Sequence, residues 1–351
     1  MPVRRSLPSL ALKKSRVKKT STRKRGKRSK EAAERRARKR YEHLKAVLDE
    51  TTAYFESRDY SGDIPGDCRS GQKILDLVAE VFGDVTPDEL KSAPEDGILI
   101  WKTPQCMLDS SPSIPPVSLI RLHNILGTDD INLIIDFYDT LIRSGFRIPR
   151  EKNGDRNRSF TDGVHLGVWQ LYSSEPMITS SSRFLKQRSS DVLELLDKFL
   201  MLLRNILAPI IRSIYQIHLP HLWARQQKAH RYVNANIRPT HQAEYESRLA
   251  LDFNGAFFGA AVKEGSSEIF HVDWNDDPNT LTWIVPLGDG WEGGEFCVPQ
   301  LNTKVPVKQG QLIGALTRRL IHCGTPTQGR RLVLTLFCDR YLMGHSERWI
   351  E

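Results

Sequence analysis

Apolar positions change their spacing along the chain, and this change predicts which stretches are helices and which are strands. Spacings of three and four residues predict helices at Ser29 to Phe55, Ile74 to Val81, Thr128 to Gly145, and Ser190 to about Ile217, the last broken near Pro209. Short apolar, β-branched or aromatic runs predict strands at Gly97 to Trp101, at Val164 to Tyr172 and directly after Arg331. This succession predicts an α+β fold in which helices cover the outer face of a sheet.

Charged residues are distributed unevenly along the 351-residue chain. The first 50 residues hold 19 Lys and Arg against 5 Asp and Glu, whereas the remainder holds 32 against 37. Residues 1–30 contain too few large apolar side chains to bury a core, which predicts a disordered basic tail. We expect residues 31–240 to form a mainly helical region that packs on a sheet-rich core formed by residues 241–351.

The basic tail predicts contact with nucleic acid. Lys24, Arg25, Lys27 and Arg28 can neutralise DNA phosphates without reading the base sequence. The same run is typical of a nuclear-import signal, so we expect the protein in the nucleus. A solvated tail with neither role is the alternative.

Two function classes are disfavoured by the sequence. No apolar run approaches the roughly 18 residues that span a bilayer, and no apolar signal-peptide core follows the N-terminus, so we expect a soluble, intracellular protein without a membrane partner. The cysteines are few, odd in number and without CxxC spacing: Cys68, Cys106, Cys297, Cys323 and Cys338. This pattern argues against a disulfide framework and against a structural zinc site.

Candidate metal ligands lie near the C-terminal end. His271 and Asp273 would point to the same side of a strand, because side chains alternate along it. His322 follows Asp273 with 48 residues between them, far enough for several strands to return it to the same place. Two histidines and one carboxylate on one face of a metal leave positions open, which suits non-haem Fe(II). Arg331 then offers a planar guanidinium to a carboxylate co-substrate; Arg330 would point to the opposite face of the strand and is the alternative.

These residues, with the segments 271–276 and 281–299, resemble the Fe(II)/2-oxoglutarate dioxygenases, and more particularly the TET/JBP-like nucleic-acid dioxygenases that are expanded in mushroom-forming fungi. The resemblance covers about residues 251–341. It implies a double-stranded β-helix of the jelly-roll or cupin type, with Fe(II) held by His271, Asp273 and His322. It also implies 2-oxoglutarate on Arg331, O2 as oxidant and ascorbate as reductant. Asn254 is expected beside the cofactor, or else serves as a turn residue before Gly255.

The resemblance further implies duplex DNA as partner, with a methylated base flipped out of the stack. The base is 5-methylcytosine, oxidised to hydroxymethyl, formyl or carboxyl forms, or N6-methyladenine. Asp276 is the candidate acceptor for the exocyclic amine, with Asp277 or a solvated turn as alternatives. Phe270 and Trp274 are candidates for stacking on the base, or for core packing. Asp339 stands roughly where TET-like proteins place a His.

Two other functions remain compatible with the sequence. A protein or peptide hydroxylase of the prolyl-hydroxylase type would share every metal and co-substrate residue. A non-catalytic DNA-binding protein would use the barrel only as a scaffold, although the intact ligand set argues against it.

Overall fold

A computed structural model describes part of the chain: Arg35, Lys39, Ile64, Cys68 and residues 52–55, 71–83, 85–111, 113–146, 163–170, 173–183, 189–247, 251–288 and 290–350. Lys24, Arg25, Lys27 and Arg28 lie outside the described residues. Contacts divide the chain into two units, Met1–Glu42 and His43–Glu351. In the first unit Arg35 and Lys39 are helical and exposed, and all that follows belongs to the second.

Strands and helices both occur throughout the second unit. The strands are β1 Thr52–Phe55, β2 Lys91–Ser92, β3 Ile98–Lys102, β4 Val117–Leu122, β5 Gly163–Trp169, β6 Met177–Ile178, β7 Gly259–Glu264, β8 Thr282–Leu287, β9 Glu292–Gly293, β10 Phe296–Val298, β11 Thr303–Val305, β12 Leu312–Ala315, β13 Cys323–Gly324, β14 Thr327–Gln328 and β15 Leu332–Phe337. The α-helices are Gln72–Phe82, Gln105–Ser110, Thr128–Arg143, Ser190–Leu202, Ala208–His218, Pro220–Tyr232, Gln242–Ser247 and Arg340–Arg348. Short 3-10 turns are Pro87–Glu89, Pro239–His241 and Pro299–Leu301, and π-helical turns are Leu203–Leu207 and Val233–Ile237.

The central element is a nine-stranded sheet in the order β1-β3-β4-β12-β8-β15-β7-β5-β6. Neighbouring strands pair antiparallel, except that β1 and β3 are parallel. A four-stranded sheet, β13-β10-β11-β2, and the pair β14-β9 complete the strand pairing among the described residues. This architecture confirms the predicted α+β class with a jelly-roll or cupin-like core.

The alternation along β15 shows how the sheet is used. Leu332, Leu334 and Leu336 are buried in the main hydrophobic core, whereas Val333 and Thr335 are only half-buried. Helices contribute side chains to the same core: they include Leu196, Phe199, Ile211 and Tyr215. The Tyr215 hydroxyl accepts a hydrogen bond from the Trp283 indole at 3.1 Å, which ties the helix Ala208–His218 to β8. One face of the sheet is therefore covered by helices, as expected, and the opposite face is more open.

Several predicted elements are confirmed, and one predicted helix break is wrong. The strands predicted at 97–101 and 164–172 correspond to β3 and β5, and the helices predicted to begin at 128 and 190 begin there. The long helix after 190 does not break at Pro209; a π-helical turn precedes it, and Pro209 lies in the first turn of the next helix, where a missing N–H is tolerated.

The predicted helix through Phe55 is wrong at its end. Residues Thr52–Phe55 pair in parallel with β3, and the Phe55 ring stacks on Trp101 with centroids 4.7 Å apart. Pairing with a sheet edge and an aromatic contact overrides the weak local helical spacing, because strand formation depends strongly on such neighbours.

The expected boundary at residue 240 does not divide the sheet. β1 and β3 to β6 precede this position, yet they belong to the same nine-stranded sheet as β7, β8, β12 and β15. In the part of the chain that the structure describes, none of the helices has the length and apolarity to cross a membrane.

Candidate metal centre

The fold brings His271, Asp273 and His322 together. Taking one ligand atom from each side chain, these atoms all lie within 4.8 Å of one another. Asp273 lies between the two rings, with its carboxylate oxygens 3.8 Å from Nε2 of His271 and 3.5 Å from Nε2 of His322. Three groups that each offer a lone pair thus face one small volume.

Long-range backbone pairing positions the three ligands. His271 and His322 form an isolated antiparallel bridge, in which each N–H donates to the other's carbonyl at 3.0 and 2.9 Å. The Asp273 N–H donates to the Thr317 carbonyl at 3.1 Å. The segment around His271 is extended but is not a regular strand. The predicted placement of positions 271 and 273 on one side therefore arises from pairing with distant residues.

Hydrogen bonds set the orientation of both imidazoles. Nδ1 of His271 lies 2.8 Å from the Ile269 carbonyl, and Nδ1 of His322 lies 2.9 Å from the Leu320 carbonyl. A carbonyl only accepts, so each Nδ1 carries the proton and the lone pair is on Nε2, the atom nearer Asp273. Both rings are buried, whereas the Asp273 side chain is 20% exposed. The set is arranged to bind a cation that is reached from one side.

Arg331 is a buried cation without a carboxylate partner among the described residues. Its side chain is 5% exposed, Nη1 donates to the Ser266 hydroxyl at 3.1 Å, and the buried Nε has no hydrogen-bond partner. Burial lowers the pKa of the guanidinium to about 10, so it remains charged at neutral pH. The charge of Glu295 favours the charged guanidinium, but no carboxylate among the described residues forms a salt bridge with it. Burying a charge without such a partner is costly, so this position is suited to the carboxylate of a ligand.

Arg331 is linked to the region of His322. Ser266 accepts from Arg331, and the carbonyl of the next residue, Ser267, accepts from the Gly324 N–H at 2.7 Å. Gly294, with φ at +73°, lies against the guanidinium, and a Cβ there would be 2.7 Å from Nη1 of Arg331. The absence of a side chain at position 294 thus leaves room for Arg331.

Arg330 points the other way. Its guanidinium is half exposed and binds the carboxylates of Asp139, at 2.8 Å for the Nη1 contact, and Glu264, at 3.0 Å. Strand alternation therefore separates the two arginines as the sequence predicts, with Arg331 inside and Arg330 at the surface.

The two candidate carboxylates for base recognition are engaged within the protein. Oδ2 of Asp276 accepts from the hydroxyls of Thr282 at 2.6 Å and Thr317 at 2.8 Å. Asp277 binds Arg225 through two bonds of 2.5 and 2.8 Å. Both side chains are buried and help to hold the turn after Asp273; base recognition by Asp276 stays a prediction.

Phe270 packs in a hydrophobic cluster, which is the alternative that the sequence left open; stacking on a base stays a prediction. Its ring is buried in a second hydrophobic cluster with Ile74 and Val78 of the helix Gln72–Phe82. Successive side chains of an extended segment point to opposite sides, so His271 enters the site while its neighbours Phe270 and Val272 both pack behind it. Trp274 is half-buried, and the guanidinium groups of Arg318 and Arg340 both lie near its ring.

Asn254 occupies a turn. Its φ is +55°, its N–H donates to Asp252 at 2.8 Å, and its carbonyl accepts from Gln227 of the helix Pro220–Tyr232 at 3.3 Å. The alternative interpretation, a turn residue before Gly255, describes these contacts. The hydrogen bonds that Asn254 makes to described residues do not reach the His271 group or Arg331.

Sequence reasoning missed two residues that shape the site, Ser266 and Gly294, and did not predict the capping role of Asp339. Ser266 had no sequence signal, because its contact with Arg331 joins positions far apart in the chain. Gly294 belongs to a Gly-Gly-Glu turn that indicates a close backbone approach. Asp339, which is fully buried, accepts from the N–H groups of Tyr341 and Leu342 and so caps the last helix. Burial raises the pKa of Asp339 to about 6.

Comparisons with known proteins give distant structural likenesses. No protein-family model matches the sequence, and no curated protein matches it. The structure of NgTET1 in complex with 5mC DNA is similar with a TM-score of 0.45 and 15% identity, covering 72% of this chain and 81% of that one. A Pseudomonas putida prolyl-4-hydroxylase is similar with a TM-score of 0.32 and 13% identity, covering 63% and 92%.

A third similar structure is a Trichoplax adhaerens prolyl hydroxylase in complex with a hypoxia inducible factor oxygen degradation domain peptide fragment. Its TM-score is 0.32 and its identity 13%, covering 66% of this chain and 88% of that one. Likenesses at this level assign neither an activity nor a substrate, so the functional interpretation depends on the residues of the site.

Proposed function

We propose that this chain is an Fe(II)- and 2-oxoglutarate-dependent dioxygenase that oxidises methylated bases in DNA. One observation carries the proposal: two oriented imidazoles and one carboxylate converge within 4.8 Å, and a buried guanidinium without a carboxylate partner is linked to the same region. The first group suits a metal with open positions. The second suits a dicarboxylate co-substrate.

His271, Asp273 and His322 are the proposed iron ligands. The Nδ1 hydrogen bonds to Ile269 and Leu320 hold both imidazoles in the tautomer that binds through Nε2. Asp273 supplies the negative charge and leaves one side of the site open. Iron with 2-oxoglutarate and O2 bound supplies the oxidising power to hydroxylate an unactivated C–H bond, and ascorbate serves as reductant.

Arg331 is the proposed partner of the far carboxylate of 2-oxoglutarate. Its planar fork can donate two parallel bonds, the hydroxyl of Ser266 already fixes Nη1, and Nε has no hydrogen-bond partner among the described residues. Gly294 keeps the space beside the guanidinium open. The protein thereby orients the co-substrate and excludes water from its charged end.

Duplex DNA carrying 5-methylcytosine or N6-methyladenine is the proposed substrate, and the nucleus the proposed location. The support is the basic tail with Lys24, Arg25, Lys27 and Arg28, together with two guanidinium groups on Trp274, the residue after the ligand Asp273. A methyl group in a duplex reaches an enclosed site only if its nucleotide leaves the stack. Trp274 and Asp276 are the proposed contacts for that nucleotide.

A nucleoside mass-spectrometry assay tests the proposal. The purified chain is incubated with Fe(II), 2-oxoglutarate, ascorbate and duplex DNA that carries 5-methylcytosine or N6-methyladenine, and succinate is followed in parallel. We expect oxidised or demethylated bases that disappear in the His271→Ala variant. Succinate without base oxidation would indicate that the substrate is a protein or peptide. The absence of both products would contradict the proposal altogether.

A further inference from the structure

Backbone hydrogen bonds hold Arg318 and Arg340 close to residues 273–275. The Asp273 N–H donates to the carbonyl of Thr317, which places Arg318 beside this segment, and the Arg340 N–H donates to the carbonyl of Asn275 at 2.8 Å. These backbone bonds join parts of the chain that are more than 40 residues apart. The backbones next to both guanidinium groups are therefore bonded to Asp273, a proposed metal ligand, or to Asn275, two residues after it.

The two guanidinium groups converge on one indole. Cζ of Arg318 lies 3.4 Å from the centroid of the Trp274 ring, and Cζ of Arg340 lies 5.3 Å from it. Arg340 also lies over the ring of Tyr341 at 4.4 Å and donates to its hydroxyl at 2.6 Å. Tyr341 is 40% exposed and the other three side chains are half-buried. The result is an arginine–aromatic rim, formed by Trp274, Arg318, Arg340 and Tyr341, at the surface beside the metal centre.

The rim brings two positive charges close to one another beside the metal centre. Arg340 makes no ion pair with the described residues, although its charge interacts with the neighbouring buried carboxyl of Asp339. Arg319, next to Arg318, binds neutral acceptors, the Pro278 carbonyl at 2.7 Å and the Asn279 side chain at 3.1 Å. Like charges held together repel one another, so an anion bound between them is favoured.

We propose that the arginine–aromatic rim binds the phosphates of the nucleic-acid strand that enters the metal centre. Guanidinium groups donate to phosphate oxygens in a fixed fork. An exposed aromatic ring beside arginines is the combination that binds unstacked nucleotides without regard to sequence. The inference rests on the proposed function for its choice of nucleic acid among polyanions, and it names the surface that presents the strand to Asp273.

Fluorescence anisotropy with the full chain tests this assignment. Binding of a labelled duplex with a central 5-methylcytosine is measured over a range of NaCl concentrations for wild type and for the double variant Arg318→Gln with Arg340→Gln. Each phosphate contact contributes about 0.9 to the slope of log K against log salt, so loss of two contacts lowers the slope by about 1.8 and the affinity at 0.1 M by about 60-fold.

Two matched variants separate charge from structure. Arg318→Lys with Arg340→Lys keeps both charges and should retain the wild-type slope. Arg143→Gln with Lys198→Gln removes two cations from exposed helix positions elsewhere and should also retain it. An unchanged melting temperature in the Gln variant shows that the fold is intact.

Three results would overturn the inference. One is a wild-type slope and affinity in the Gln variant. The second is an equal loss of slope in the Arg143 and Lys198 control. The third is displacement of the duplex by polyglutamate of equal charge as well as by unlabelled DNA, since this would show a site for any polyanion.

The outcome is distinguishable from that of the proposed function. If the Gln variant loses DNA affinity but wild type oxidises no base, the rim stands and the oxygenase substrate is wrong. If wild type oxidises the base and the Gln variant binds and oxidises it equally well, the rim is wrong and the oxygenase stands.

Discussion

His271 and His322 are paired through their backbones, each donating its N–H to the other's carbonyl at 3.0 and 2.9 Å. Because this bridge fixes both main chains, the separation of the two rings, 4.4 Å between centroids, is set before any metal binds. Asp273 then needs only its own bond to Thr317 to complete the group. Preorganisation of this kind has measurable consequences.

We expect His271→Ala, Asp273→Ala and His322→Ala each to lower turnover by more than about 100-fold, because ligands matter at least as much as the residues that support them. The variants should still fold without metal, because the bridge between residues 271 and 322 is made by backbone groups that the substitutions keep. Added Mn(II) should raise the melting temperature of wild type only.

Thermal denaturation with and without metal checks this. His221→Ala, an exposed histidine outside the group, is the control and should keep both turnover and the metal-dependent shift. Full activity in any one ligand variant would contradict the metal assignment.

Arg331→Met should abolish 2-oxoglutarate binding while stabilising the ligand-free protein. Removing one partner of a buried charge pair costs about 2–5 kcal/mol of binding free energy. Replacing a buried cation that has no salt bridge by an apolar side chain removes the desolvation penalty of that cation. Calorimetric titration of 2-oxoglutarate in the presence of Mn(II), and melting without it, measure the two effects.

The matched control is Arg330→Met, which loses surface ion pairs with Asp139 and Glu264 and should leave 2-oxoglutarate affinity unchanged. If Arg330→Met weakens the binding of 2-oxoglutarate and Arg331→Met does not, the assignment of the two arginines is reversed.

Gly294→Ala should weaken 2-oxoglutarate binding through Arg331. A Cβ at this position would lie 2.7 Å from Nη1 of Arg331, so the guanidinium must shift. Gly290→Ala provides a control, because Gly290 has a similar φ of +68° and nothing within 4 Å of its Cβ position. Both variants should lose about 1 kcal/mol of stability from the backbone conformation, but only Gly294→Ala should lose co-substrate affinity in calorimetry.

Asp339→Asn should remove a pH dependence of stability. The pKa of this carboxyl is raised to about 6 by burial, so the folded protein binds a proton that the unfolded chain, near pH 4, has already released. Stability from this group is therefore present below about pH 4 and lost as pH rises through about 6.

Chemical denaturation at pH 5 and pH 7.5 checks the sign. Asparagine is an equally good helix cap, so Asp339→Asn should gain up to about 3 kcal/mol over wild type at pH 7.5, and less at pH 5. An equal difference at the two pH values would exclude Asp339 as the titrating group.

Replacing Lys24, Arg25, Lys27 and Arg28 by glutamine should weaken DNA binding without affecting the chemistry. Four lost phosphate contacts would lower the salt slope by about 3.6, as measured by anisotropy, while succinate formation at saturating substrate stays constant. A wild-type slope would show that these residues are not the anchor.

The sequence by itself determined those features that depend on local order. Apolar spacing indicated the helices at 128 and 190 and the strands at 97 and 164, because a 3.6- or two-residue repeat fixes which side is buried. Alternation alone separated Arg331 from Arg330, since neighbours on a strand point to opposite faces. The pattern of His271, Asp273 and His322 predicted the three groups that meet.

Only the tertiary structure decided the features that depend on contacts between distant segments. Phe270 became a core residue because the helix Gln72–Phe82 packs against it, and Thr52–Phe55 became a strand because β3 offers it an edge. The carbonyls that orient the two imidazoles, the isolation of Arg331 beside Ser266, and the meeting of Arg318 and Arg340 on Trp274 follow from backbone pairing across the fold. Such pairing leaves no periodic signal in the chain, because its partners lie tens of residues away.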